Sequence, residues 1–335
     1  MTRSLLGAAS ALALAHAAQA QDLGTFRYGT NWLAQAEHGG FYQAVADGTY
    51  AACGLDVEIV MGGPQVAGRA MMLAGRLDGF MGGNMLPPFD ALVEDIPVVV
   101  VFASFQKEPQ ILMTHPGVAE TFLDLKDLDI FVGDGGFVSY YQWMISAFGF
   151  TEEQRRVYTF NSAPFIADPG TAQQGYLSSE PFAIEQETGW RPDIWLLADE
   201  GFDTYSTTIE VTRSTIENRP EAVRCFVEGT ALGWNNFLYG DNAAAIELIK
   251  ADNPDMTDEK IQHGIEMMKE YGIVDSGDTL ELGIGAMTHD RMRSFYETMV
   301  EAGVLPEGLA IEESYTLEFV NQGVGLDVKR ALLGQ

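Results

Sequence analysis

The sequence predicts an α/β protein of two lobes, each built on a mostly parallel sheet flanked by helices. Three observations predict it. Apolar, strand-like runs alternate with stretches of helical spacing over the first two thirds of the chain, the pattern of βα units whose sheet is covered on both faces. The first three strands end alike, in Asn31-Trp32, in Gly62-Gly63-Pro64-Gln65 and in Gly82-Gly83-Asn84. Glycine there permits close backbone approach, and an amide offers both donor and acceptor, so strand ends gathered at one sheet edge make a cleft. Finally, about 315 residues follow the leader described below, more than one core usually absorbs. No Pro/Ser-rich linker separates them, so two short crossings join the lobes and act as a hinge.

Taken in order, residues 26–29 form a first strand, and Gly39-Gly40 opens a helix with Phe41, Ala44, Val45 and Gly48 on its buried face. Strands at 55–61 and 77–81 are each followed by a helix, through Ala70 to Ala74 and through Phe89 to Val93, and a wholly apolar strand runs over 98–102. A second α/β pattern starts near Ser104, with strands at 110–114, 130–132, 157–161 and 194–198. In it a helix carries Tyr140 and Tyr141, residues 172–175 read as helical, and Glu180 stands at the front of the next helix. Adjacent tyrosines on a helix point about 100° apart, so one of the pair faces the cleft. A strand near 205–213 returns the chain to the first lobe, and helices follow, one of them capped by Thr257. The tail through 315–320 docks on the first lobe. The expected division is a leader at 1–20, lobe I at 21–103 and 206–335, and lobe II at 104–205.

The first twenty residues carry Arg3, an alanine and leucine run, and Ala18-Gln19-Ala20 as a small-x-small cleavage site. That is the form of a secretory signal peptide, too short in its apolar run to span a bilayer. No cysteine stands at the cleavage point, so a free periplasmic protein is expected rather than a lipid-anchored one. Beyond residue 20 there are 18 basic against 48 acidic residues, a net charge of −30. Such a chain repels nucleic acid, and its charge reads as a solvated surface. Cys53 and Cys225 lie in a compartment that permits a bridge, and either a disulfide or two buried thiols satisfies the sequence.

An exported two-lobe chain with paired crossings and Gly-tipped strands resembles the periplasmic solute-binding proteins of ABC importers. More narrowly, the stretch NWLAQAEHGGFYQAVADGTYAACGLDVEIVMGG, together with QQGYLSSEPF at 173–182, is similar to the branch related to the thiamine-pyrimidine-precursor synthases. That branch also includes binders of nitrate, sulfonates and hydroxymethylpyrimidine-type precursors. The resemblance implies a type II binding-protein fold, capture of a small molecule between two lobes, and delivery to an ABC permease in the inner membrane, with the protein acting as a monomer. The synthases carry a cysteine-rich motif that this sequence lacks.

The candidate ligand-binding residues are Asn31, Trp32, Glu37, His38, Tyr42, Gly63, Asn84, Phe105, Tyr140, Glu180 and Tyr205. The segments that hold the cleft candidates, 31–42, 62–65, 82–84, 133–141 and 174–180, contain no Lys or Arg. An oxyanion can be held by helix N–H groups alone, but Glu37 and Glu180 oppose it by like charge. A neutral or cationic planar heterocycle suits the set better. The aromatics supply stacking faces, and carboxylate and amide groups meet an exocyclic amine and ring nitrogens. Glu37 either meets the solute or favours the positive end of the first helix. His38 has no second His or Cys at metal-ligand spacing, so no metal and no cofactor is expected. Nucleophile-elbow, phosphate-loop and H-E-x-x-H signatures are absent from the sequence, which favours binding without turnover. Sulfonate or nitrate binding, and a pyrimidine-precursor synthase-like activity, are the alternatives.

Overall fold

The computed structural model describes residues 22–335, so the expected leader at 1–20 lies outside the described residues. Ten strands form two five-stranded sheets. The first sheet holds β1 (Gly24–Gly29), β2 (Leu55–Val60), β3 (Gly79–Met81), β4 (Val98–Phe105) and, last in sequence, β10 (Ser206–Thr212), in the order β2-β1-β3-β10-β4. The second holds β5 (Gln110–Thr114), β6 (Asp129–Val132), β7 (Arg155–Val157), β8 (Thr171–Tyr176) and β9 (Asp193–Leu196), in the order β7-β6-β8-β5-β9. Each sheet is mixed. Only β10 runs against its neighbours in the first and only β5 in the second. Those two strands are the ones that begin just after the chain changes sheets, between Phe105 and Gln110 and again between Leu196 and Ser206.

Periodicity placed most elements, and two readings are corrected. Residues 172–175 are not helical but lie in β8, the central strand of the second sheet. Its sequence TAQQGY has almost no β-branched residue, and burial with pairing on both edges overrides that weak propensity. The expected strand at 157–161 is Arg155–Val157. Beyond it Phe160 takes φ 62°, a left-handed conformation that no strand continues through.

Lobe I is tied together by its late helices. Phe226, on the helix Pro220–Tyr239, stacks on Phe26 with ring centroids 4.6 Å apart and on Tyr50 at 5.2 Å. The same helix crosses Gly39–Ala46 at Gly233, where any Cβ would collide with the Gly40 carbonyl oxygen, so close backbone approach there requires glycine. Every residue of β4 is buried, and the tail docks on it through Tyr315, paired with Val100. No helix among the described residues is long and apolar enough to cross a membrane.

Of the two cysteine alternatives, the structure holds the bridge. Cys53 and Cys225 are linked with their Cα atoms 6.1 Å apart across 172 residues of sequence, so the bond fastens the early half of lobe I to the half that follows lobe II. Reducing it, or replacing both with Ser, is expected to lower unfolding free energy by about 2–5 kcal/mol, since the cross-link limits the unfolded chain. Urea denaturation with and without reductant measures this. An unmoved midpoint would mean that packing alone joins the halves.

Candidate functional site

The end of β1, the end of β3 and the start of β10 face the end of β8 and the helix Glu180–Thr188 across the gap between lobes. Between them lies a cavity of about 200 Å³. Lobe I contributes Asn31, Trp32, Gln35, Glu37, His38, Met81 and Thr207, and lobe II contributes Gln110, Phe160, Gln174, Gly175, Tyr176, Ser179 and Glu180. Ligands of open α/β sheets sit at such strand ends.

The lobes touch around this cavity. Ser178 Oγ donates to Glu37 Oε1 across the gap. Trp32 meets Phe160 with ring centroids 4.6 Å apart. Phe182 stacks on His263 at 4.4 Å, and Asn84 Nδ2 donates to Ser139 Oγ over 3.2 Å. The conformation is therefore closed.

The wall is rich in acceptors. Glu37, only 3% exposed, has its acidity weakened first by burial and further by the Glu180 charge, against hydrogen bonds from Ser178 and its own backbone N–H. Glu180 Oε2 accepts from Tyr176 N–H at 2.7 Å and from Ser179 Oγ at 2.6 Å. Among the described residues the second oxygen of Glu180 has no hydrogen-bond partner, and Glu37 receives hydrogen bonds only from Ser178 and its own backbone. Gln174 Oε1 accepts from Gly133 N–H (2.7 Å) and Tyr140 O–H (2.9 Å), which leaves its NH2 as a donor. Gln110 spends its NH2 on the Ile111 and Gly175 carbonyls, which leaves its oxygen as an acceptor. His38 is driven by burial down to a pKa of about 3 and is neutral, with Nδ1 buried and unpartnered. The described residues contain no cluster of three or more His, Cys, Asp or Glu that could hold a metal ion.

Of the eleven candidates, Asn31, Trp32, Glu37, His38 and Glu180 line the cavity. The other six do not. Tyr42 is buried with its hydroxyl on Asp252 at 2.6 Å, because the inward face of its helix meets lobe I. Gly63 stands beside Leu33 and Val66. Asn84 turns to Ser139 and to the Leu86 N–H. Phe105 packs in the core against Trp234. Tyr140 stands behind the wall and fixes Gln174. Tyr205 donates to Asp278 at 3.0 Å under the Arg291 guanidinium. Large aromatics fill cores more often than pockets, and Tyr42, Phe105, Tyr140 and Tyr205 obey that tendency.

Sequence reasoning reached Gln174 and Tyr176 only as part of the cleft segment 174–180, and did not reach Gln110, Phe160 or Thr207 as ligand contacts. The QQGY run at 173–176 was the available signal for the first two. Phe160 and Thr207 (φ 47°) are two of the four non-glycine residues with positive φ among those described, and both line the cavity. Such conformations cost of order 1–3 kcal/mol each and gather at ligand clamps.

Behind the cavity, Glu108 lies in the first crossing, 2% exposed. Burial pushes its pKa up to about 7, partly offset by the hydrogen bond from the Gln110 N–H and by the polar Ser206 and Asn84 side chains beside it.

Two sheets, two crossings and a cavity between lobes define the periplasmic-binding-protein fold. Three solved structures share it at identities that speak to fold alone. The ligand-binding component of an ABC-type import system from Staphylococcus aureus, solved with zinc bound, is 10% identical with TM-score 0.64, covering 90% of this chain and 99% of that one. The alkanesulfonate-binding protein SsuA from Xanthomonas axonopodis pv. citri, bound to MOPS, is 13% identical with TM-score 0.62, covering 87% and 98%. The desulfurization enzyme DSZB is 14% identical with TM-score 0.55, covering 90% and 99%. The NMT1/THI5-like family profile matches residues 35–244, and the chain belongs to that family. No curated protein matches it in sequence.

Glu108 makes stability depend on pH in a definite direction. Its pKa is about 7 folded against an ordinary 4.5, so the folded state binds more protons between those values. The stabilisation is complete below about pH 4.5 and is lost as pH rises through about 7. Glu108→Gln is expected to match the parent at pH 4 and to exceed it at pH 8 by up to about 3 kcal/mol. Calorimetric unfolding across that range reads the difference, and parallel curves would refute it.

Proposed function

We propose that the protein is the periplasmic solute-binding component of an ABC importer. It captures a small planar nitrogen heterocycle, neutral or positive and of the thiamine-pyrimidine-precursor kind, and delivers it to an inner-membrane permease. The observation that carries this preference is the charge of the wall: Glu37 and Glu180 line the cavity, and among the described residues no Lys or Arg does. A sulfonate or nitrate would enter against two carboxylates, whereas anion sites ordinarily recruit a cation. An aminoheterocycle instead donates to the two carboxylates and to Gln110 Oε1, accepts from the Gln174 NH2, and lies against Trp32 and Phe160.

Family membership and the fold support the binding reading. Against a synthase-like reading, both cysteines are consumed in the lobe I bridge, so no thiol stands near the cavity. One chain supplies both walls, which suits action as a monomer. Closure about the two crossings is the working motion, because contacts from both lobes give a bound solute its differential affinity for the closed form.

Glu180→Gln is the discriminating variant. The amide retains one acceptor oxygen for the Tyr176 N–H and Ser179 hydroxyl, removes the charge, and turns the free oxygen into an NH2 donor. Calorimetric titration of the parent with 4-aminopyrimidine, taurine and nitrate is expected to show saturable binding of the first without turnover. In the variant that affinity should fall about ten- to a hundredfold, the loss of one charge-assisted hydrogen bond. Tight binding of taurine or nitrate by the parent, strengthened in the variant, would reverse the solute assignment.

A further inference from the structure

The cavity does not end at its carboxylates. A second chamber of about 170 Å³ adjoins it, and Gln35, Glu37, Ser179 and Glu180 belong to both walls. The remaining residues of the second chamber are Ser178, Phe182 and Ala183 from lobe II and Met256 and Lys260 from lobe I. It too is formed only when the lobes meet. Their contact is fixed on one side by the Ser178 hydrogen bond to Glu37 and on the other by the Phe182 stack on His263.

The two chambers differ in chemistry. The first offers acceptors, one donor amide and aromatic faces. Past the carboxylates the wall turns apolar, with the Phe182 ring, the Ala183 methyl and the Met256 thioether. Lys260 directs its ammonium to the Asp255 carbonyl at 3.0 Å, which leaves its methylene stem to cover the chamber. Flexible, polarisable Met256 suits a surface that accommodates a variable apolar group.

The geometry points to a two-part solute: a nitrogen-bearing head held between Glu37 and Glu180 in the first chamber, and a short alkyl or aryl substituent lying in the second. This rests on the head assignment made above and adds the tail. The four residues that line both chambers are what favour a ligand substituent as occupant. A group attached to the head beside Glu37 and Glu180 is directed toward the second chamber, and burying each methylene there gains affinity.

The test separates the two assignments. The intact protein is titrated with 4-aminopyrimidine and with its 5-butyl and N-butyl derivatives, and association and dissociation rates are followed for each. At least one butyl derivative is expected to bind about tenfold tighter than the parent compound. Met256→Trp, which fills the chamber from lobe I, should abolish that gain while leaving 4-aminopyrimidine affinity unchanged. Ala183→Leu, on the exposed side of the lobe II helix, should reduce the gain in the same way and guards against misfolding of the first variant. If 4-aminopyrimidine binds but neither butyl group adds affinity, the tail chamber is overturned and the head assignment stands. If filling the chamber slows association and dissociation together at constant Kd, the space is a portal, and the tail assignment is likewise overturned. If no aminopyrimidine binds, the head assignment falls and takes this inference with it.

Discussion

Closing the lobes places Glu37 and Glu180 on a cavity that, among the described residues, no Lys or Arg lines, and the rest of the cleft answers to that constraint. An ionised carboxylate taken out of water costs several kcal/mol unless a partner restores what the solvent gave. Glu37 receives one hydroxyl, from Ser178, and a like-charged neighbour, Glu180. Its proton affinity rises accordingly. The contrast within the same lobe is Glu210, fully buried in β10 yet met by Arg69 through Nε at 2.8 Å and a second nitrogen at 2.5 Å. Glu210 is neutralised by the protein. The cleft acids are left for something else to neutralise.

Backbone strain at the same place has a parallel meaning. Thr207 stands at the return crossing and Phe160 at the rim of lobe II, and both hold left-handed conformations that the surrounding structure must enforce. For a β-branched and a bulky aromatic residue this is uphill, and it persists only where neighbours over-determine it. Thr207 is fixed by flanking pairs of β10 with β4, Ser206 with Phe105 and Thr208 with Ala103. Phe160 is held between Tyr158 on its own lobe and Trp32 on the other.

The fold was largely legible because its signals are local and repeated. Apolar runs and glycine-tipped strand ends fixed the alternation and the cleft edge, and Thr257 caps its helix as its spacing implied, accepting from Lys260 N–H. The site was legible in part. Asn31, Trp32, Glu37 and His38 follow directly from the first strand-to-helix junction, and Glu180 from the Ser-Ser-Glu-Pro helix start. What failed was the direction of side chains. Tyr42 and Tyr205 carry the same ring chemistry as a stacking wall, but helix rotation and the Asp252 and Asp278 acceptors turn them away. Thr207 and Phe160 enter the cavity through dihedral angles that tertiary contacts impose and no residue pattern encodes. Gln174 becomes a cleft donor only because β8, read as helical, is the central strand beside Gly133 and Tyr140.

On the proposed reading of the cleft, these energetics also decide which guests can keep it shut. Moving a two-state equilibrium from mostly open to mostly closed takes about 5.5 kcal/mol of differential binding. Hydrogen bonds to charged groups are worth about 1.5–3 kcal/mol each, so donors to both carboxylates bring a guest near that figure. A ring lying against Trp32 or Phe160 adds about 0.5–1.5 kcal/mol. A flat anion keeps the ring contribution and loses the rest, since the same two carboxylates repel it. A flat guest without donors keeps the ring contribution and leaves the carboxylates buried and unmet. Only a guest that brings N–H groups to both lobes gains its largest contributions in the closed form alone, where Glu37 of lobe I and Glu180 of lobe II line one cavity. Selectivity and closure are then the same free energy, realised at the same pair of side chains.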